Sequence, residues 1–392
     1  MPLSRRNFAK LSALGLAAHW TPNSLTQPAF AQSASAPQSA APQPSPTQPA
    51  SQPSARRIGY AVIGLGRIAS HFLAGTAQSS QSKITALVSG HRDKAERIAA
   101  QYNVPTSSIY DYENFDRIAA NPAVDAVYVA LPNSMHAEYT IRAARAGKHV
   151  LCEKPMDVTS AQCRRMIDAC RAARVKLMIA YRLHYEPTHL HAIELIRGGK
   201  LGTLGSLDAN HGSNMRAGEW RLTKALGGGG PMFDHGVYSL NLFRWLTGQE
   251  PTAFQAMTST PDRDGRFTEV EENVQWLTRF PSGAIASDAG SYGTELGGYW
   301  RAHGPWGWLQ MTSLTYQGQH LTGHYASQPV LGAPWIEVDL ASSEKDPMQF
   351  THQVDHFSDC ILHDRAPNTP GEDGLADQLA LEAVYKSAGV TL

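Results

Sequence analysis

The chain has 392 residues, 42% hydrophobic and 17% charged, with 34 basic and 34 acidic side chains and a formal net charge of zero. That apolar content excludes a disordered protein and supplies cores for two domains of ~100–200 residues each. The balanced charge gives no footprint for nucleic acid or an anionic membrane surface, and no apolar run reaches the ~18 residues of a membrane span.

The N-terminus reads Ser4-Arg5-Arg6-Asn7-Phe8-Ala9-Lys10, then the apolar run Leu11 to Ala18, then Ala29-Phe30-Ala31 before Gln32. Paired arginines, an apolar run and a small-residue cleavage site in this order form a twin-arginine signal. Residues 1–31 are therefore expected to be a leader recognised by the twin-arginine machinery, with the folded protein delivered to the periplasm. Residues 32–56 are rich in Ser, Ala, Gln and Pro, cannot build a core, and read as an extended arm. The cysteines agree with folding in a reducing compartment. Cys163 and Cys170 share an expected helix, ~10 Å apart and beyond the ~7 Å reach of a disulfide. Cys152 and Cys360 are too distant in sequence to judge, and four free, mostly buried thiols are expected.

From Arg57 the pattern alternates. Strands are expected at 58–64, 83–89, 124–131, 149–153 and 176–181, and helices at 67–77, 92–102, 135–146 and 160–173. This is the βαβ rhythm of a parallel sheet. After a helix at 188–197 come strands at 203–210, 252–258, 273–280, 284–291 and 306–311, with one main helix at 231–246. Successive strands favour antiparallel pairing. Helices return at 349–362 and 375–387. The expected fold is an α/β Rossmann domain over 57–182 and an α+β domain over 183–392 with a mostly antiparallel open sheet.

Gly64-Leu65-Gly66-Arg67-Ile68-Ala69 is a Gly-x-Gly-x-x-Ala turn between the first strand and helix. The first glycine permits the turn, the second lets backbone approach a pyrophosphate, and Ala69 allows close packing. The helix N-terminus offers N–H groups to phosphates. An NAD site usually places a carboxylate at the end of the second strand. Here Ser89 and Gly90 stand there, with Arg92 and Lys94 beyond, which suits the 2′-phosphate of NADP.

Cys152-Glu153-Lys154-Pro155 closes a parallel strand, at the sheet end where α/β folds bind ligands. Gly227 to Gly230 precede Pro231-Met232-Phe233-Asp234-His235-Gly236-Val237-Tyr238. Asp234 and Tyr238 are four apart and would share a helix face, and the glycines would let backbone pass close to a ligand.

Gly64-Leu65-Gly66, Leu131-Pro132-Asn133, Glu153-Lys154-Pro155, Tyr181-Arg182 and Asp234 to Tyr238 together resemble the glucose–fructose oxidoreductase/inositol dehydrogenase (MocA-type) family, over nearly the whole chain. The likeness is greatest to its periplasmic members, in Ala86–Gly90, Ile109–Phe115, Gly147–Met156, Tyr181–Pro187 and Trp220–Leu222, and in the leader and arm. It implies that Lys154 and Tyr238 are the catalytic pair with Asp234 beside them. Gly64, Leu65, Gly66, Arg67 and Ile68 would hold the cofactor phosphates, with Glu153 beside Lys154. Ser89, Gly90 and Lys94 would meet the 2′-phosphate, and Tyr112 the adenosine end. Leu131, Asn133 and His136 would line the cleft, and Arg182, Trp220 and Arg221 would surround the nicotinamide and substrate. No metal is implied. A cis Lys154–Pro155 peptide and a homo-oligomer, dimer or tetramer, are.

The implied reaction is oxidation of an aldose such as glucose at C1 to the lactone, with tightly bound NADP, followed by reduction of a second sugar, fructose to sorbitol. Tyrosine ordinarily ionises near ~10, so Tyr238 needs Lys154 to favour its phenolate. Many family members carry His at this position. Asn210–Glu219, Pro305-Trp306-Gly307-Trp308 and the stop at Leu392 depart from the family pattern and bear on substrate and assembly. The alternatives are an ordinary NADP-dependent sugar or polyol dehydrogenase, an aldose–aldose oxidoreductase, and a non-catalytic cofactor-binding sensor, against which Lys154, Asp234 and Tyr238 together argue. His184, His189 and His191 lack the His-Glu-x-x-His or Cys pairs of a zinc hydrolase.

Overall fold

The computed structural model describes residues 56–392, so the expected leader and nearly all of the expected arm lie outside the described residues. The first sheet is built from β1 (Ile58–Ile63), β2 (Ser82–Val88), β3 (Ile109–Tyr110), β4 (Ala126–Val129), β5 (His149–Cys152) and β6 (Leu177–Ile179). Its helices are α1 (Arg67–Gln78), α2 (Arg92–Tyr102), α3 (His136–Arg145) and α4 (Ser160–Ala173). All pairings are parallel and the order is β3-β2-β1-β4-β5-β6. β1 is buried at every position, as helices on both faces require. Local chemistry sets the helix ends. Thr159 caps α4 by accepting from Gln162 N, and Asn103 and Arg174 end α2 and α4 in the left-handed conformation. The chain reverses its order between β1 and β4, which opens a crevice at their carboxyl ends.

The second half adds α5 (Pro187–Arg197), β7 (Ser206–Gly212), α6 (Lys224–Gly227), α7 (Val237–Thr247), β8 (Ala253–Ser259), β9 (Asn273–Arg279) and β10 (Ile285–Ser291). β11 (Leu296–Gly304), β12 (Gly307–Thr312), β13 (His320–Ala326), β14 (Trp335–Ala341), α8 (Met348–Leu362) and α9 (Gly371–Ser387) follow. The eight strands run β14-β13-β12-β11-β7-β10-β9-β8. Only β7–β10 pair parallel. This is the expected mostly antiparallel sheet, enlarged by β11, β13 and β14, which have no counterpart in the expected strands.

Two expectations are corrected. The split at Arg182 separates the sheets but not the cores. Phe350, Val354 and Phe357 of α8 share a core with Tyr60 and Phe72, and Leu381, Val384 and Tyr385 of α9 share one with Cys163 and Met166. The last helices are amphipathic and find their apolar partners on the first domain. The helix expected at 231–246 is also not uniform. Met232–Gly236 form a π-helical turn before α7, a device frequent at functional sites. Asp234 therefore does not lie one α-turn before Tyr238 on a common α-helical face. The four cysteines are buried and free, and no described helix is long and apolar enough to cross a membrane.

Candidate active site

At the switch point Gly64 has φ +83°, and a Cβ there would lie 2.5 Å from the Ala130 carbonyl. Glycine is required both by the turn and by the end of β4. Gly66 caps α1 with no side-chain cap bond and no acid in the first turn. A Cβ on Gly66 would meet no atom within 4 Å. Open space thus faces free helix N–H groups, which fits the pyrophosphate of a nicotinamide dinucleotide.

That space belongs to a cavity of about 1020 Å³. Its walls include Gly64, Leu65, Gly66, Arg67, Ile68, Ser89, Lys94, Tyr112, Leu131, Asn133, Glu153, Lys154, Arg182, Trp220, Arg221, Asp234 and Tyr238, so the cavity gathers these expected residues from both halves of the chain. At the end of β2 the wall carries Ser89, His91 and Lys94 and no carboxylate. The Ser89 hydroxyl accepts from His91 N at 3.0 Å and shapes that loop. Arg92 turns away, pairing with Glu96 at 2.7 Å, and leaves Lys94, in the first turn of α2, as the cation at this end of the cavity.

Two expected residues stand elsewhere. His136 is fully buried, its ring between the carbonyls of Leu131 and Pro155 at 2.9 and 3.0 Å. It sits behind the cleft with both ring nitrogens facing backbone carbonyls, one of which its N–H bonds, and not the cavity. Gly90 does not line the cavity; a Cβ there would lie 3.2 Å from the Tyr112 ring, so its lack of a side chain makes room for Tyr112. Gly227 to Gly230 are also buried and absent from the cavity wall. They pass close to protein, not to a ligand site.

Lys154 leaves the end of β5 through a cis Lys154–Pro155 peptide. Its Nζ donates to the Asp234 carbonyl at 2.7 Å and to Asp234 Oδ1 at 3.1 Å, and lies 4.1 Å from the Tyr238 ring centroid. Arg221 Nε pairs with the other carboxylate oxygen of Asp234 at 2.9 Å. Burial pushes the Asp234 carboxyl up, but Arg221 and then Lys154 hold it well below the usual carboxylate range. Asp234 is therefore an anion that fixes two cations. Arg182, buried, donates to the carbonyls of Leu314 and Thr315 at 2.6 and 2.7 Å and to Gln349 Oε1. Its guanidinium carbon lies 5.3 Å from the Tyr238 centroid and 4.6 Å from that of Tyr316. Glu153 is buried, accepts from the Tyr128 hydroxyl, and is pushed above its usual range by burial.

The cavity adds side chains without an individual assignment from the sequence: His211, His235 and Tyr316. The His211 and His235 rings stack at 4.4 Å, and burial pushes His211 down to about 3 and His235 below its usual value. Both are neutral near pH 7. Burial and then Tyr238 push Tyr316 up to about 12. His235 lies within the Asp234-to-Tyr238 string, and His211 within the segment that departs from the family pattern. Tyr316 comes from a loop with no sequence signal.

Taken as chemistry, the arrangement is a phenol under an ammonium, with a charge-fixing carboxylate, at the carboxyl end of a dinucleotide-type sheet. It can move a proton at a substrate hydroxyl or carbonyl while cations stabilise the developing oxyanion.

Residues 58–181 match the model of an oxidoreductase family with an NAD-binding Rossmann fold, and residues 189–310 match the GFO/IDH/MocA C-terminal domain. The chain is 43% identical to the aldose-aldose oxidoreductase from Caulobacter crescentus, covering 85% of this chain and 98% of that one with a TM-score of 0.79. It is 30% identical to the D-xylose 1-dehydrogenase [NADP(+)] of Haloarcula marismortui over 78% of this chain and 83% of that protein. It is 26% identical to the 1,5-anhydro-D-fructose reductase of Ensifer adhaerens over 84% of this chain and 96% of that protein.

Proposed function

Since the chain belongs to the GFO/IDH/MocA oxidoreductase family, whose relatives make it a nicotinamide-dependent sugar oxidoreductase, we propose that it oxidises an aldose at C1 and reduces a second sugar with one retained NADP. The observation that carries this is the Lys154 ammonium set over the Tyr238 ring and tied to Asp234 inside the dinucleotide cavity. When bound, the nicotinamide supplies the hydride acceptor and donor. Tyr238 takes the proton from the C1 hydroxyl in the oxidation and returns one to the carbonyl oxygen of the second sugar. Lys154 and Arg182 set two cations against the phenol ring, where they can stabilise negative charge that develops on the substrate oxygen. Asp234 keeps Lys154 and Arg221 in place. Leu65, Gly66 and the start of α1 would hold the pyrophosphate, and Ser89 and Lys94 the 2′-phosphate.

NADP is supported by the carboxylate-free end of β2 and by the NADP named for the xylose dehydrogenase relative. For the second sugar, likeness to an aldose–aldose oxidoreductase supports an aldose; the sequence motifs support a ketose, fructose to sorbitol. The same proposal includes export in the folded state by the Arg5-Arg6 leader to the periplasm, which explains why a retained cofactor is useful there. It also includes a homo-oligomer, supported by Met257, Leu277 and Ile285 exposed on the large sheet, and checked by light scattering.

The test uses protein purified through gel filtration and given no nicotinamide. Glucose with fructose, or glucose with a second aldose, should yield equal amounts of lactone-derived acid and polyol, with NADP released on denaturation. Turnover only with added NADP would replace the cycle with an ordinary dehydrogenase, and the identity of the polyol decides the second sugar.

A further inference from the structure

The run Gly227 to Gly230 has no side chains of its own to fix its path, yet it is buried and closely packed against neighbouring side chains. A Cβ on Gly229 would lie 2.8 Å from the Tyr385 hydroxyl and from Phe233, and a Cβ on Gly230 would lie 2.6 Å from Glu271. The run is tied at both ends. Asn133 Nδ2 donates to the Gly227 carbonyl at 2.8 Å, and Gly230 N donates to the Tyr385 hydroxyl at 3.0 Å. Tyr385, fully buried on α9, in turn donates its hydroxyl hydrogen bond to Glu271 Oε1 at 2.5 Å. Immediately downstream come Pro231 and the π turn carrying Asp234, whose carbonyl and carboxylate both hold Lys154. Behind the run lies a second cavity of about 270 Å³, bounded by Lys224, Gly229, Glu271, Tyr385 and Leu392. Gly229 borders this space, so the run has room to shift into it if the tie at Gly230 is lost.

We propose that Tyr385, oriented by Glu271, is a positioning residue for the Asp234–Lys154 pair, acting through the glycine run. Neither residue touches the active-site cavity. The assignment rests on the sugar oxidoreductase reading above. It also gives the glycines a purpose: a side chain at 229 or 230 would occupy the space that Tyr385 and Glu271 use to reach the backbone.

Tyr385→Phe removes the hydroxyl acceptor while keeping the ring against Phe233. Glu271→Ala removes the group that orients the hydroxyl, and Glu271→Gln keeps an acceptor there. A displacement of ~1 Å at reacting groups can cost ~10²-fold. Tyr385→Phe and Glu271→Ala should therefore lower kcat by about 10- to 100-fold, with sugar KM and retained NADP unchanged, and Glu271→Gln should stay close to wild type. If Tyr385→Phe does not accumulate as folded protein, the two Glu271 variants carry the same comparison. Wild-type kcat in Tyr385→Phe, or in Glu271→Ala, overturns the inference. So does equal loss in Glu271→Gln and Glu271→Ala, or a kcat loss that only follows lost NADP. Wild-type protein run alongside keeps the two claims apart: without sugar turnover in any variant or the wild type, the functional reading falls and takes this one with it.

Discussion

Tyr238 carries the sharpest consequence at the scale of single residues. Phenylalanine at 238 keeps the ring that faces Lys154 Nζ at 4.1 Å and removes only the hydroxyl. Tyr238→Phe should keep its bound dinucleotide, measured by absorbance, and lower kcat by about 10²- to 10⁴-fold. Near-wild-type turnover would place the proton transfer elsewhere. The pH dependence should likewise ignore the His211 imidazole. His211 is pushed down to about 3 by burial, so it does not change charge between about pH 5 and 8, and burial lowers His235 as well. A limb of kcat/KM near 6.5 that vanishes in His211→Asn would contradict that environment. Lys154, Asp234 and Tyr238 were legible in the sequence because each sits in a short string at a strand end or helix start. Tyr316 was not: it reaches the cavity only through the pairing of β11, β12 and β13, which a linear string does not encode. His136 was misplaced because a histidine near a cleft serves equally well as a brace for carbonyls.

Among elements, the β1–α1 turn separates two uses of glycine that look alike in sequence. Gly64 has φ +83° and abuts the Ala130 carbonyl. Gly64→Ala should destabilise the domain by about 1–3 kcal/mol and lose the cofactor as well. Gly66 has ordinary backbone angles and open space before it. Gly66→Val should melt close to wild type but emerge from gel filtration without NADP, because the branched side chain stands where the pyrophosphate approaches. Thermal melts and the nucleotide content of the same preparations check both, and equal melting losses in the two variants would mean that Gly66 is also a packing glycine. The first sheet was legible almost element by element, since buried parallel strands are continuous apolar runs. The second was half legible. β11 begins Leu-Gly-Gly, β13 carries Gly323 beside His324, and edge strand β14 is exposed at nearly every position. β11 and β13 show little of the apolar alternation that marks a strand, because glycines and histidines interrupt it, whereas β14 does alternate, Ile336-Glu337-Val338-Asp339-Leu340, and its signal was there to be read.

For the whole molecule, buried groups pull stability in opposite directions as pH changes. Burial pushes His184 and His211 down to about 3. Between there and the ordinary ~6.5 of an unfolded histidine, the unfolded chain holds protons that the native chain does not, so stability is lost as pH falls through that window. Burial pushes Glu271 and Asp377 up to about 7. Between their unfolded values near ~4 and that point the native chain holds the extra protons, so stability is lost as pH rises. Each group contributes a slope of at most about 1.4 kcal/mol per pH unit. The two sets offset one another, and the native protein should be flatter in stability between about pH 4.5 and 6.5 than any one of these groups would make it. Glu271→Gln removes one of the two falling slopes while keeping an acceptor for Tyr385. Relative to wild type it should therefore gain up to about 1.4 kcal/mol per pH unit over that window, read from guanidinium unfolding at about pH 5 and 6.5. A difference between the two proteins that is the same at both pH values would mean that Glu271 is already ionised in the native state there.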